Sequence, residues 1–445
     1  MRRRLLPAVM LMLAVSAPAL AAEPGDETEE PWLLRALRVR GRVKEEVAYR
    51  LHDPGDLSKL RTIGWLDGKL TFSDWANLRV DGRAWWDGVF AVTDRYPENV
   101  RRDQETDVDL RQALLSLSLG ALDLRLGRQQ IVWGEAISTF VTDVVNPKDF
   151  REFILPEFSE IRIPIWAVDG TYHLADGVAL EGVWTPDTRF NKIGKAGSEF
   201  QFRGPAYRLQ NPVVRVPDNP DEFSLARSAG GARLSYLVSG WDFTALYYDG
   251  EDKTAVLYQR RESAARGPDT IVLEPRHPRL HIVGATVAKS IEPVVILAEA
   301  AYSIGKRYET IDPLDPNGIV RRDTLDYLVG VDWTVFGVDT ALQFMQKVLT
   351  GDAANLTRGG VEARVTSSFA LRLTTGFFDN TLTPTLLAVV NANRGDHRVS
   401  ARLDYQLTGA ITLSGGVDVF GGPRDTLYGQ FTNNDRAYVE MSWKF

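Results

Sequence analysis

The 445-residue chain is 44 % apolar, 10 % aromatic and 25 % charged, with a formal net charge of −7 and no cysteine. That balance excludes a disordered chain, and also a helical membrane protein, which needs apolar runs of about 18 residues or more. The negative charge speaks against nucleic acid as a partner, and without thiols there is no disulfide, thiolate metal site or Cys nucleophile.

The chain opens as a signal peptide. Arg2, Arg3 and Arg4 supply a basic start, Leu5 to Val15 an apolar run too short to span a bilayer, and Ala19 to Ala21 small residues for cleavage. Residues 1–21 are therefore predicted to be removed. Residues 22–35 read as an acidic periplasmic lead-in, and 36–445 as a single domain.

From residue 37 onward, hydrophobicity alternates with a period of two in segments of roughly ten residues. Leu37, Val39, Val43, Val47 and Tyr49 share one parity; Arg38, Arg40, Arg42, Lys44 and Arg50 share the other. Leu78, Val80, Ala84, Trp86 and Phe90 lie opposite Asn77, Arg79, Asp81, Arg83 and Asp87. Val399, Ala401, Leu403, Tyr405 and Leu407 lie opposite Arg398, Ser400, Arg402 and Asp404. Tight turns join several pairs, at "LGALDL", "LVSGWDF", "TVFGVDT" and "QLTGAIT". Long polar stretches at 91–107, 134–160, 186–227, 251–279, 304–322, 349–358 and 421–434 join the others. The segment from Val361 through Phe377 keeps one parity and reads as a single strand. The pattern predicts an all-β, transmembrane antiparallel barrel of about 18 strands, with 16 the next count, both termini periplasmic and the long loops outside.

Between Leu124 and Phe153 the pattern changes. A strand runs through Gly127, Arg128 and Gln129, which puts Arg128 on the lipid-facing parity and calls for a bulge at Gly127 or an early exit. Ile137, Phe140, Val141, Val144 and Val145 then recur at helical spacing. A short helix is predicted there, ending at Asn146, which would cap a second turn with Pro147 in its first position. Such a loop could lie over the mouth as an outer lid. It could also fold into the lumen, where Glu135, Lys148, Asp149, Arg151 and Glu152 would meet a polar wall and the loop would narrow the pore. The inward fold is the expectation.

Two lumen features stand out. Arg38, Arg40, Arg42 and Lys44 form a basic stripe, either a lure for anions or neutralised by a facing ladder. The closing strand would offer Glu440, but also Lys444 and Arg436. Carboxylates at Asp87, Glu181, Glu299, Asp332 and Asp404 share the interior.

The chain ends on "AYVEMSWKF", in which Val439, Met441, Trp443 and Phe445 share the lipid-facing parity with Ala437. This alternation ending in Phe resembles the carboxy-terminal signal read by the barrel-assembly machinery, and the two aromatics would join an interfacial girdle. Of the five histidines, His52, His173, His277, His281 and His397, the pair His277 and His281 has helical spacing, but Pro278 and a loop setting speak against a metal site, and Arg394-Gly395-Asp396 reads as a polar turn. No Ser elbow, phosphate loop or acid–His set is present, so the sequence points to no enzyme and no cofactor.

The set Gly127-Arg128-Gln129, Trp133-Gly134-Glu135 and Asn146-Pro147 with Asp149 resembles an uncharacterised family of proteobacterial outer-membrane barrels, distantly similar to alginate-export porins. The last strand resembles the end of those barrels too. The resemblance implies a channel or export conduit in the outer membrane of a Gram-negative bacterium. Its cargo would be apolar, lipid-like or polymeric, and its partners outer-membrane lipid, an inner-membrane exporter and a periplasmic carrier. A plugged structural or adhesin barrel and an outer-membrane enzyme are the rival readings.

Overall fold

In the computed structural model the described residues are 36–445, apart from 54, 203–212, 216–220, 264–268, 311, 313, 352, 354 and 357–362, with backbone alone at 213–215. The predicted signal peptide, the 22–35 segment and Val361 lie outside them. Eighteen strands form one sheet. They are β1 Leu37–Arg50, β2 Leu57–Ser73, β3 Ala76–Asp87, β4 Thr106–Leu119, β5 Leu122–Gln129, β6 Ile165–Ala175, β7 Val178–Thr185, β8 Ala229–Val238 and β9 Trp241–Glu251. The rest are β10 Arg279–Ile291, β11 Val294–Ile304, β12 Thr324–Val335, β13 Val338–Leu349, β14 Val365–Thr375, β15 Leu382–Asn391, β16 Asp396–Gln406, β17 Ile411–Gly421 and β18 Arg436–Lys444. Each pairs antiparallel with its sequence neighbours. β18 returns to β1, with Arg42 opposite Lys444 and Arg50 opposite Arg436, so the sheet has no free edge. Ser367 and Ser368 lie inside β14, as the single-strand reading of that segment required.

The short turns gather at one end. At Ser239-Gly240 and Phe336-Gly337 both residues have positive φ, the geometry of two-residue hairpins whose twist matches the strands. The long connections gather at the other end, joined there by two short ones at 51–56 and 392–395.

The outward parity is apolar and exposed, with Val80, Leu342, Leu403, Val439 and Met441 among its members. In water such a surface would cost roughly 25 cal/mol per Å²; against hydrocarbon it costs nothing. Exposed aromatics crowd the short-turn end: Phe72, Trp75, Trp241, Phe336, Phe378, Trp443 and Phe445. The Trp443 and Phe445 rings lie 4.8 Å apart. Phe445 also exchanges backbone hydrogen bonds with Gly41 at 2.8 and 3.0 Å, and its ring fills the space a side chain at Gly41 would need. The outward face of β1 carries one acidic side chain, Glu45, which accepts a 2.8 Å hydrogen bond from Thr62 Oγ1.

The hydrophobic core lies inside the barrel. Lumen-parity side chains of β6 to β15, including Ile165, Val183, Leu246, Ile282, Leu297, Leu328, Met345 and Val389, are buried against the long 130–164 connection. This explains why β2 and β15 show weak alternation. Leu387 and Val389 pack against that inner core, and Ile63 on β2 is buried on the lumen side. Both faces of these strands are therefore apolar in places.

The outward assignment has a direct consequence. In a bilayer, Leu342→Arg is expected to destabilise the barrel by about 2–4 kcal/mol if it sits near the midplane, and Leu342→Phe far less. Unfolding in lipid vesicles reads both; equal effects would contradict the assignment.

Candidate functional site

The 130–164 connection enters the lumen. Its backbone reaches the opposite wall: Glu135 N donates to Glu299 Oε1 at 2.5 Å and Ile137 N to Gln343 Oε1 at 3.0 Å. Thr142 donates to Glu299 Oε2 from Oγ1 at 2.6 Å and from N at 3.3 Å. Gly134 permits this approach, since a Cβ there would lie 2.8 Å from Thr142 Oγ1 and 3.1 Å from Glu299 Oε2.

The helix expected over Ile137 to Val145 does not form. Glu299 takes the Thr142 N–H that a helix would direct to its own carbonyl, while Glu135 N and Ile137 N, which a helix starting at Ile137 would leave unpaired, are held by Glu299 and Gln343. The apolar stripe still packs. Val141 and Val145 are buried, and Ile137 and Val144 lie against the same core. Phe140 instead meets Phe158 and Phe150, with ring centroids 4.3 and 6.3 Å away, and Lys148 Nζ sits 4.7 Å over it. The helical structure of the loop is the single turn Phe158–Ile161.

Asn146 is not a cap. Its Oδ1 accepts from Ile131 N at 2.7 Å, and its Nδ2 donates to Ile163 O at 2.9 Å and to Gln129 O at 3.3 Å. The side chain thus clasps the outgoing leg of the loop to the returning one. Pro147 does not begin a helix; its carbonyl accepts from Ile163 N at 2.8 Å. Below the clasp, Gln129 is fully buried and donates to Arg125 O and Ala167 O. Gly127 has φ of 125°, and a Cβ there would lie 2.0 Å from Ala113 O. Arg128 keeps its outward parity, but its strand ends at the next residue and its Nη2 donates to Asp109 at 3.0 Å. Trp133 is buried, donating from Nε1 to Glu181 Oε1 at 3.0 Å.

The charged half of the loop faces the opposite half of the wall. Glu152 receives hydrogen bonds from Lys59 and Arg61 on β2. Arg151 is paired with Asp149 at 2.6 Å and Asp107 at 3.0 Å, and donates to Asp103 O. Arg398 Nη1 and Arg111 Nη2 donate to loop carbonyls of Ile154 and Ser159, both at 2.6 Å.

Between this part of the loop and strands β1–β3 and β16–β18 lies a cavity of about 270 Å³. Nine basic side chains line it (Arg42, Lys44, Lys59, Arg61, Arg83, Arg151, Arg402, Arg436 and Lys444) against six acidic ones (Glu46, Asp149, Glu152, Glu157, Glu160 and Glu440). The predicted basic stripe divides here. Arg42 stacks 3.7 Å over Trp65 and lies 3.4 Å from Glu160, and Lys44 is 2.5 Å from Glu46. Arg38 and Arg40 stand exposed toward the short-turn end. Glu440 of the closing strand pairs with Arg402 at 2.9 Å, so the stripe's counter-charges come from β1 itself and from the loop. Sequence reasoning singled out the loop residues and placed Glu299 among the lumen carboxylates, but did not match it to the loop, and it did not single out Lys59, Arg61 or Gln343. These sit on the lumen parity, which was the available signal, but pairing across the barrel leaves no spacing to read.

His277 and His281 do not converge: one stacks on Phe190 at 3.4 Å, the other bonds Tyr247 Oη at 2.9 Å. Asp396 of the Arg-Gly-Asp turn is buried and accepts from Tyr428 N at 2.8 Å.

Two outcomes test the loop's anchors. Asn146→Ala leaves the Ile131 N–H buried without its acceptor. The expected loss is about 1–3 kcal/mol, with the loop becoming the first site of proteolysis. For Glu152, burial alone would raise the carboxyl, but Arg61 and Lys59 outweigh it and hold it well below its ordinary 4.5. A depressed folded-state value means that the anchor contributes fully above 4.5 and is lost as pH falls through the lower folded value. Protease resistance of the loop should hold from pH ~8 to ~5 and decline only in stronger acid. Glu152→Gln should remove that acid step.

Among solved structures, the fold is similar to OccAB1 of Acinetobacter baumannii, at 8% identity and TM-score 0.53, covering 92% of this chain and 96% of that one. It is similar to OccAB2 of the same organism, at 11% identity and TM-score 0.52, covering 94% and 99%. It is also similar to OccK2 (OpdF) of Pseudomonas aeruginosa, solved in complex with glucuronate, at 11% identity and TM-score 0.52, covering 92% and 98%. No curated protein matches the sequence. Residues 49–445 match the model of the DUF1302 family, described as proteins of unknown function, and the chain belongs to that family.

Proposed function

We propose that this chain is a porin-like channel in the outer membrane of a Gram-negative bacterium, with the 130–164 loop setting its narrowest part. The observation that carries this reading is the cavity of about 270 Å³ flanked by the loop on one side and by charged side chains of β1–β3 and β16–β18 on the other. A closed barrel with an apolar exterior supports the membrane setting, and the likeness in fold to OccAB1 and OccK2 supports a channel architecture. The proposal assigns it no reaction. A lining so rich in ions suits polar or amphipathic solutes better than wholly apolar ones. If an inner-membrane exporter and a periplasmic carrier deliver lipid-like or polymeric cargo, its charged groups would engage this lining. The last strand, with Trp443 and Phe445 exposed at the short-turn end, suits recognition by the barrel-assembly machinery.

A plugged structural barrel is the second reading, favoured by the bonds from the loop to Glu299 and Gln343. Planar-bilayer recording separates the two. The channel reading expects the parent to conduct, and replacement of Ile137 to Phe153 by a short Gly/Ser linker to raise single-channel conductance. A silent parent with a conducting linker variant identifies a plug. Equal conductance in both overturns the narrowing role of the loop.

A further inference from the structure

At the short-turn end of the lumen, cations face one another across the sheet. Arg38 on β1 stands directly opposite Lys69 on β2, and Lys69 opposite Arg79 on β3. Like charges in such positions repel. The next row holds Arg40, Asp67 and Asp81. Asp67 is bound to Arg79 at 2.6 Å, so four cations share two carboxylates. Asp74 lies in the β2–β3 turn, about 16 Å further along the chain from Lys69 and beyond the range of unscreened attraction. Arg38, Arg40 and Lys69 are exposed, and among the described residues none of them makes an ion pair or a side-chain hydrogen bond.

The chain carries the complement next to this patch. Residues 22–34 hold Glu23, Asp26, Glu27, Glu29 and Glu30 and no basic residue. They precede β1, which starts at the same end of the barrel. Glu30 is seven residues from Leu37 and Glu23 fourteen, spans of at most about 25 and 50 Å. Neighbouring strands lie about 4.8 Å apart, so either span covers the width of β1–β3. A short tether presents its ligand at an effective concentration in the millimolar range. Contacts too weak to hold a free acidic peptide can therefore hold this one.

We propose that this cationic patch is the docking surface for the chain's own acidic segment, residues 23–30, whose carboxylates sit between Arg38, Arg40 and Lys69. Docking relieves the repulsion between Arg38 and Lys69 and places the segment along one side of the short-turn mouth. The inference rests on the channel reading only for what the docked segment would obstruct; the docking itself needs no conductance.

The absence of cysteine allows a direct test on the whole chain. Thr28→Cys places a thiol within the acidic segment, and Thr71→Cys places one on the lumen parity of β2 beside Lys69; neither removes a charge. Thr334→Cys, exposed on β12 at the same end, is the comparator across the lumen. In protein folded in detergent, oxidation should link Thr28→Cys to Thr71→Cys about five-fold faster or more than to Thr334→Cys. Arg38→Gln together with Arg40→Gln should slow the first link about five-fold, and so should 1 M salt, where the Debye length falls to about 3 Å. Salt would not slow a link made by apolar packing or chance collision. Heat-modifiable migration checks that each variant is folded. Equal rates to the two partners, or a first link indifferent to the Arg substitutions or to salt, overturns the docking. If no link forms while added oligoglutamate shields Thr71→Cys from a thiol reagent, the patch belongs to a separate acidic partner and the proposal falls. Conductance separates the two readings: a protein that links but never conducts loses the channel, and one that conducts without linking loses the docking alone.

Discussion

Glu299 is the contact on which the interior depends. Its carboxylate is buried on β11 and takes donors from Glu135 N, Thr142 N and Thr142 Oγ1. A connection that leaves the surface and enters a barrel carries backbone N–H and C=O groups that no ladder satisfies. Glu299 and Gln343 accept from the first stretch of the loop, and Arg398 and Arg111 donate to the later one. With those groups satisfied, Val141, Val145 and Trp133 can be buried against the inner wall. Without them the same burial would cost about 1–3 kcal/mol for each orphaned group.

The lumen is consequently two surfaces rather than one. From β6 to β15 the inner parity carries a buried aliphatic band covered by the loop. From β16 around through β3 it is ionic and faces the passage. The charges that remain there are closely interleaved, so their fields are short-ranged and their selectivity is decided by local geometry. Trp65 and Trp85 serve as platforms that position guanidinium groups whose carboxylate partners lie beside them.

What the sequence made legible follows from this division. The outward parity obeys one rule, apolar with few exceptions such as Glu45, so β1, β3, β16 and β18 could be read directly from alternation. The inward parity obeys two rules, and where it turned aliphatic, as at Leu387 and Val389 on β15, the period-two signal faded. The loop's motif residues were visible as a group, but their roles were not. Spacing alone gave Ile137, Phe140, Val141, Val144 and Val145 a helix, because the pattern cannot show that Glu299 and Gln343 wait across the lumen for those N–H groups. Asn146 before Pro147 looked like a cap for a similar reason. An Asn side chain satisfies whichever backbone groups it meets, and here those belong to Ile131 and Ile163.

The loop is also fixed from both ends of the segment that lines the passage. Asn146 holds the two legs where they leave the wall, and Glu152 is bound by Lys59 and Arg61 on the far side. Only Pro147 separates Asn146 from the ionic group Lys148–Glu152, and Leu155 to Ile161 follows after Phe153 and Ile154. Loss of one anchor leaves the other to limit how far that lining can move, whereas loss of both frees it. Substitutions at Asn146 and Glu152 should therefore be non-additive, each modest alone and larger together, as expected for groups that hold one segment. The width of the passage and the seating of the loop are thus one property. A solute that draws Lys59 or Arg61 away from Glu152 would at the same time loosen the wall that confines it.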